Sequence, residues 1–483
     1  LHAAAPPPLF VVCFFTMFDP DTYRSRRRTL QQQEPPSTGL ALLLGNAPSP
    51  RNYAANPHPF RQDSTFLYYF GLDQPRLCGL IDLDAGTSTL YGEPSTLEDA
   101  IWTGGAPSLR EQASAAGVDR AASRSDLEQA LADARSQDRP IHFLPPYRDA
   151  HRLRYASWLG LPPDQVDASA STALVRAVVR QRAVKSDAEV AEIEEALCYT
   201  AEIHRYAQRH AAPGVTEQAL VGGMTGRLAS ANRSFAFTPT CSVHGEVLHN
   251  HAYPNTLAEG DLLLVDAGAT SSRHYAGDIT RVAPVGGTFS GRQRRIYEAV
   301  LAAQEAALAA LAPEVPFRDV HRQAARTLTE HLVEMGLMQG DPEEAVAVGA
   351  HALFFPHGLG HMIGLDVHDM ESLGEDLVGY ADDQSRSDQF GLHTLRLARP
   401  LRPGFVVSVE PGCYFIPPLI ERWREEQRHD AFINYDRVED FRTLGGVRIE
   451  DDVLITDDGA RELGPDLPKT ASAVEAQAGA ARS

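Results

Sequence analysis

Three histidines fall within "HGLGHMIGLDVHD", residues 357 to 369. An imidazole can hold a metal, move a proton or donate to a developing oxyanion. His357 and His361 are four apart, a spacing that stacks side chains on one face of a helix. Gly358, Gly360 and Gly364 argue against that helix, since each costs about 1 kcal/mol relative to alanine in a helix interior. The segment therefore reads as extended or irregular backbone, and the three rings need not face one way. Carboxylates recur in four further places with a shared grammar. "DLLLVDAG" is an apolar strand ending in Asp266, and "HYAGDITR" brings Asp278 twelve residues later, within reach of a hairpin's partner strand. "FVVSVEPG" ends in Glu410 before a Pro-Gly turn. "GGVRIEDDVLIT" alternates, so that Arg448 and Glu450 share a face.

Taken singly, each carboxylate is explained as a turn residue or a solvated strand edge. Taken together they are not, because all four abut strongly apolar sequence that draws them inward. An unpaired buried carboxylate costs on the order of several kcal/mol, and Arg448 is the one evident cation for four of them. Two divalent metals would neutralise the set, and one imidazole would complete it. Mostly oxygen donors with one nitrogen suit Mn, Fe(II), Co or Zn in a hydrolytic pair, not a structural zinc.

These residues need elements to position them. A chain of 483 residues exceeds one ordinary core, so two domains are expected. From residue 17 to about 170, short apolar runs ("LALLLG", "LCGLIDLD", "IHFLP") alternate with helical stretches, the pattern of an α/β domain. Ser186 and Glu189 have capping-box spacing and predict a helix from residue 187. The expected division is an extension over 1–16, an N-terminal domain over 17–175, a catalytic domain over 176–468 and a disordered tail over 469–483. The extension has neither a basic n-region nor an AxA-like cleavage site, so it does not read as a signal peptide.

Composition narrows the partners. The chain is 43% hydrophobic with no apolar run long enough to span a bilayer. A formal charge of −20 speaks against nucleic acid or an anionic membrane as main partner. Cys13, Cys78, Cys198, Cys241 and Cys413 form no CxxC pair, which excludes a thiolate zinc site and predicts a reducing, cytoplasmic setting.

Read in order, "LLVDAG…YAGDITR", "HGLGHMIGLDVHD", "SVEPGCYF" and "GGVRIEDDVLIT" resemble the successive motifs of the pita-bread metallopeptidases. Within that family they look most like the proline-specific branch, prolidase and aminopeptidase P. The resemblance runs from about Met17 to about residue 465 and includes "FRQDSTFLYYFGL", similar to a segment of the family's first domain. It implies an α+β protein: a C-terminal pita-bread (creatinase/aminopeptidase-like) catalytic domain behind a smaller N-terminal α/β creatinase-like domain.

The resemblance further implies that Asp266 binds one metal, that Asp278 and Glu450 bridge two, and that His361 and Glu410 complete the second. His249 and His368 match substrate-side histidines, His251 a bystander, and His357 a neighbour of the metals. Glu410 is also the implied proton shuttle and Arg396 the implied substrate-binding arginine, while Arg448, beside Glu450 by strand alternation, is a candidate for substrate binding or for orienting a ligand. The Asp266–Asp278 interval is one residue longer than in close relatives, an addition a hairpin turn can absorb. The implied cofactors are two divalent ions, manganese foremost, with Co, Zn or Fe as alternatives. The implied reaction is hydrolysis of Xaa-Pro dipeptides, with Arg396 meeting the C-terminal carboxylate and the insert between Tyr414 and Gly445 narrowing the site. Aminopeptidase P action on longer peptides is the alternative. Metal-free creatinase-like enzymes and peptide-binding proteins share the fold, but all five ligand-type side chains are retained here. A homodimer or homotetramer is expected.

Overall fold

The computed structural model describes residues 18–32 and 36–479, so the expected extension over 1–16 lies outside the described residues. The chain divides into two units between Gln181 and Arg182, slightly beyond the expected boundary. In the first unit, β1 (Leu40–Leu44), β2 (Cys78–Asp82), β3 (Thr87–Gly92), β4 (Arg120–Ser123) and β5 (Ile141–His142) form one sheet in the order β4-β3-β2-β1-β5. The sheet is mixed: β2 runs antiparallel to β1 and β3, while β5 and β4 run parallel to them. The "LALLL" of β1 is buried along its whole length, as a strand covered on both faces must be. Within "FRQDSTFLYYFGL", Asp63 caps the buried helix Ser64–Phe70, which Gly71 ends in the left-handed region.

In the second unit, the helix Asp187–His210 starts where the capping box of Ser186 and Glu189 predicts. Its strands are β6 (Thr240–Ser242), β7 (Leu262–Ala267), β8 (Ile279–Pro284), β9 (Val406–Val409), β10 (Gly412–Tyr414), β11 (Gly446–Arg448), β12 (Asp451–Ile455) and β13 (Ala460–Glu462). They form three small antiparallel sheets, β6-β7-β8, β13-β12-β9 and β10-β11. A bridge between Thr280 and Glu450 ties the first sheet to the chain entering β12, with the Glu450 N–H donating to the Thr280 carbonyl at 3.1 Å. The helices Glu217–Ser230, Gly291–Ala310 and Phe317–Glu334 each bury one face. Among the described residues no helix is long and apolar enough to cross a membrane.

The C-terminal tail differs from expectation. Residues Ala471–Gly479 form a helix that buries Ala471, Val474 and Ala478. These three share one helical face, and alanine's high helix propensity supports the segment despite its low complexity. The insert after Tyr414 is also ordered, with helices Pro417–Glu425 and Tyr435–Glu439 and a Phe415 ring packed between Phe354 and Phe441.

Candidate metal centre and active-site cavity

The strands deliver the carboxylates to one place. Pairing in β6-β7-β8 sets Asp266 opposite both Thr240 and Thr280, and Asp278 immediately precedes β8. The hairpin between them closes tightly: a Cβ on Gly268 would stand 1.8 Å from the Gly277 carbonyl oxygen, so only glycine fits. The histidine segment is not a helix, as its glycines predict: it is extended where it bridges β9 at Met362 and bends from Gly364 to His368. It runs beside β9, where Ser408 N–H donates to the His361 carbonyl at 2.9 Å and Glu410 N–H to that of Leu359 at 2.8 Å. The close approach requires Gly360, whose added Cβ would meet the Ser408 carbonyl oxygen at 2.1 Å. His361 and Glu410 are thereby brought together by backbone pairing.

Asp278, His361 and Glu450, all buried, offer ligand atoms within 4.8 Å of one another. His361 Nε2 lies 3.6 Å from Asp278 Oδ2 and 3.5 Å from Glu410 Oε1. Its Nδ1 lies 3.2 Å from the Met362 carbonyl, which leaves Nε2 for the carboxylates. Asp266 joins the same cavity, with its Oδ2 accepting from Arg448 Nη2. That cavity, about 480 Å³, is also lined by His249, His251, His357, His368, Arg396 and Arg448.

Electrostatics make the carboxylate cluster costly as it stands. Burial, then the neighbouring carboxylates, push Asp278 and Glu410 well above the usual range and Glu450 up to about 8. Asp452, fully buried beside them, is raised for the same two reasons. Asp278 Oδ1 is buried without a hydrogen-bond partner among the described residues. Burial opposes the charge on Arg448, but Tyr414, Asp266, Glu410 and Glu450 hold it protonated. Burial and then His368 drive His361 well below its ordinary value, so the ring is neutral. A neutral imidazole, crowded carboxylates and an unpartnered buried oxygen are the donor set a divalent cation needs.

The remaining candidates separate by contact. His357 bonds to the Gly358 carbonyl and the Tyr414 hydroxyl, both at 2.8 Å, and its Nδ1 stands 3.9 Å from Glu410. Burial, followed by Arg448, lowers it to about 3. His251, expected to stand aside, lines the cavity with its ring near-parallel to that of His249 at 6.4 Å. Arg396 lines the wall but already has acidic company, with Nη1 2.6 Å from Glu371 and 4.0 Å from Glu375. No described residue of the insert between Tyr414 and Gly445 lines the cavity, contrary to the expectation that it narrows the site.

Two further residues, Thr280 and Tyr414, complete the network. Thr280 donates to Glu450 Oε2 at 2.5 Å and accepts from Arg448 Nε at 3.0 Å. Tyr414 accepts from Arg448 Nη1 at 2.9 Å while its hydroxyl meets His357. Thr280, two residues beyond Asp278, carried a positional signal; Tyr414 did not.

Comparison with known proteins agrees with this geometry. Residues 191–457 match the model of metallopeptidase family M24, and residues 23–142 match that of the aminopeptidase P N-terminal domain. The chain belongs to metallopeptidase family M24. Within M24 it is 34% identical to the Xaa-Pro dipeptidase of Homo sapiens, covering 90% of this chain and 88% of that protein. It is 32% identical to the Xaa-Pro aminopeptidase of Escherichia coli K12, covering 95% of this chain and 98% of that protein. Among solved structures, Pseudomonas aeruginosa aminopeptidase PepP superposes with a TM-score of 0.79 at 27% identity, covering 97% of this chain and 100% of that one. A variant of E. coli aminopeptidase P in complex with substrate gives 0.77 at 28% identity, covering 96% and 99%. The fold is thus the α+β arrangement that the motifs implied, an aminopeptidase P-type N-terminal domain followed by the M24 domain. The M24 chain is a divalent-metal hydrolase, and the buried donor group is where such an ion fits.

Proposed function

We propose that this M24 chain hydrolyses the Xaa-Pro bond of dipeptides, using two divalent ions held by Asp266, Asp278, His361, Glu410 and Glu450, with manganese the preferred metal. The observation that carries the reading is that all five side chains line one cavity whose wall also presents Arg396. Oxygen-rich donors with one imidazole favour Mn over a structural zinc. When bound, the ions lower the pKa of water and polarise the scissile carbonyl.

The chain's own residues do the rest. His249 and His368 line the cavity as N–H donors for the carbonyl oxygen as it gains charge. The leaving imide nitrogen of proline carries no hydrogen in the peptide and must receive one. Glu410, adjoining His361, is the carboxylate that passes a proton from the attacking water to that nitrogen. Arg448 keeps Asp266 in place, and Tyr414 and Thr280 hold Arg448. Free thiols at Cys78, Cys198, Cys241 and Cys413 support a reducing, cytoplasmic setting, and the family suggests a homodimer or homotetramer.

One observation favours a second reading. Arg396 is countered by Glu371, so a substrate carboxylate gains less there than at a bare guanidinium, which favours aminopeptidase P action on longer peptides. The test is hydrolysis of Xaa-Pro against Xaa-Pro-Yaa with Mn supplied, for wild type and Arg396→Ala. A hydrogen-bonded charge is worth roughly 1.5–3 kcal/mol, about one to two decades in specificity. The dipeptidase reading expects a wild-type preference for the dipeptide that narrows in the variant through a raised KM. A wild type that prefers the tripeptide transfers the assignment to aminopeptidase P with the metal site unchanged.

A further inference from the structure

Behind the cavity wall stands a carboxylate that touches two of its residues at once. Met370 adopts the left-handed region at φ 66°, an uncommon conformation for a residue with a side chain, and turns the chain back under His368. Glu371 follows, its backbone N–H donating to the His368 carbonyl at 3.3 Å. Its side chain then forks: Oε2 lies 2.5 Å from His368 Nδ1, and Oε1 lies 2.6 Å from Arg396 Nη1. Glu375 adds a second, more distant carboxylate 4.0 Å from the same Nη1. Glu371 lines a separate space of about 20 Å³, shared with His368 and Arg396 from their rear.

We propose that Glu371 is a positioning residue for His368 and sets substrate length through Arg396. The proposal rests on the reading of the cavity as a proline-specific peptidase site. An imidazole is oriented by the hydrogen bond that one of its nitrogens makes, and the other nitrogen is then the one offered. With Nδ1 engaged by Glu371, His368 offers Nε2 to the substrate. The same carboxylate supplies Arg396 with a countercharge before any substrate arrives. A free substrate C-terminus then gains less over a neutral amide than it would at an unpaired guanidinium. Glu371 therefore raises turnover and at the same time widens the range of accepted peptide lengths.

The decisive experiment measures kcat and KM for an Xaa-Pro dipeptide and an Xaa-Pro-Yaa tripeptide in wild type, Glu371→Gln, Glu371→Asp and Glu371→Ala, with bound metal counted for each. Glu371→Gln should lower kcat on both substrates by about 10- to 100-fold, the scale on which carboxylates that orient an imidazole act. Its dipeptide-to-tripeptide ratio of kcat/KM should rise about fivefold through the dipeptide KM, the effect of one partly exposed ion pair. Glu371→Asp should recover part of the kcat, and metal content should match wild type throughout. Unchanged kcat in both Glu371→Gln and Glu371→Ala overturns the positioning role. A fall in kcat with an unmoved length ratio overturns the role through Arg396, and loss of bound metal shows that Glu371 instead supports the fold around His361. The wild-type preference is read separately: a tripeptide-preferring wild type defeats the dipeptidase reading, while the shift in ratio still decides the role of Glu371.

Discussion

At the scale of single residues, three histidines of one cavity have different surroundings and should fail differently. His361 points Nε2 at Asp278 and Glu410, whereas His368 and His249 line the cavity without entering the tight donor group. His361→Ala should therefore lose bound metal. His368→Ala and His249→Ala should retain it and lose turnover by about 10²–10³-fold, the worth of an oxyanion donor. Metal analysis beside kcat on each variant separates the two outcomes, and equal metal loss in all three contradicts the sorting. The four carboxylate candidates were legible because each abuts apolar sequence that draws it inward, and the family resemblance distinguishes His361 from its neighbours. Tyr414 and the Thr280–Glu450 contact were not, because their partners lie far away in the chain and only the folded register supplies them. Glu371 is three residues from His368, but its fork to Arg396 likewise needs the fold.

At the scale of elements, the site depends on an extended segment lying against β9. Gly360 permits that contact, and its neighbours carry the hydrogen bonds that fix His361 beside Glu410. Gly360→Ala should push the segment away from Ser408 and weaken metal binding without removing any ligand. Titration of metal into the chelated variant checks this: the account expects a weaker affinity, and an unchanged one shows that the backbone contact does not position His361. Glycines at 358, 360 and 364 made the non-helical backbone readable in the sequence. The tail helix Ala471–Gly479 was not read, because its burying face consists of small residues whose signal resembles low complexity. The insert after Tyr414 is expected from the sequence to narrow the site, yet its Phe415 packs on Phe354 and Phe441 and its Trp423 on Phe390, and none of its described residues lines the cavity.

At the scale of the whole molecule, buried neutral histidines in both units make stability sensitive to acid. Burial first of all lowers His151, His204 and His351 each to about 4. Their pKa in the folded state lies below the unfolded value, so between pH 6.5 and 4 the unfolded chain binds protons that the folded chain refuses. Stability must then fall as pH falls through that window. Among the described residues His351 has no hydrogen-bond partner on either ring nitrogen, so His351→Gln removes this linkage without breaking a bond seen there. Relative to wild type, the variant should gain about 1.4 kcal/mol per pH unit as pH is lowered from 6.5 toward 4. Urea unfolding at several pH values checks it, and a constant difference contradicts the buried neutral state.

The central claim is that the carboxylate cluster exists to hold two catalytic metals, and one measurement bears on it directly. The protein is stripped with chelator, titrated with Mn, and followed at each step for tightly bound metal per chain and for turnover of an Xaa-Pro dipeptide. The account predicts no activity in the stripped protein and a rise to full turnover as binding approaches two ions per chain. Full turnover without bound metal, or saturation of activity at a single ion, would contradict it.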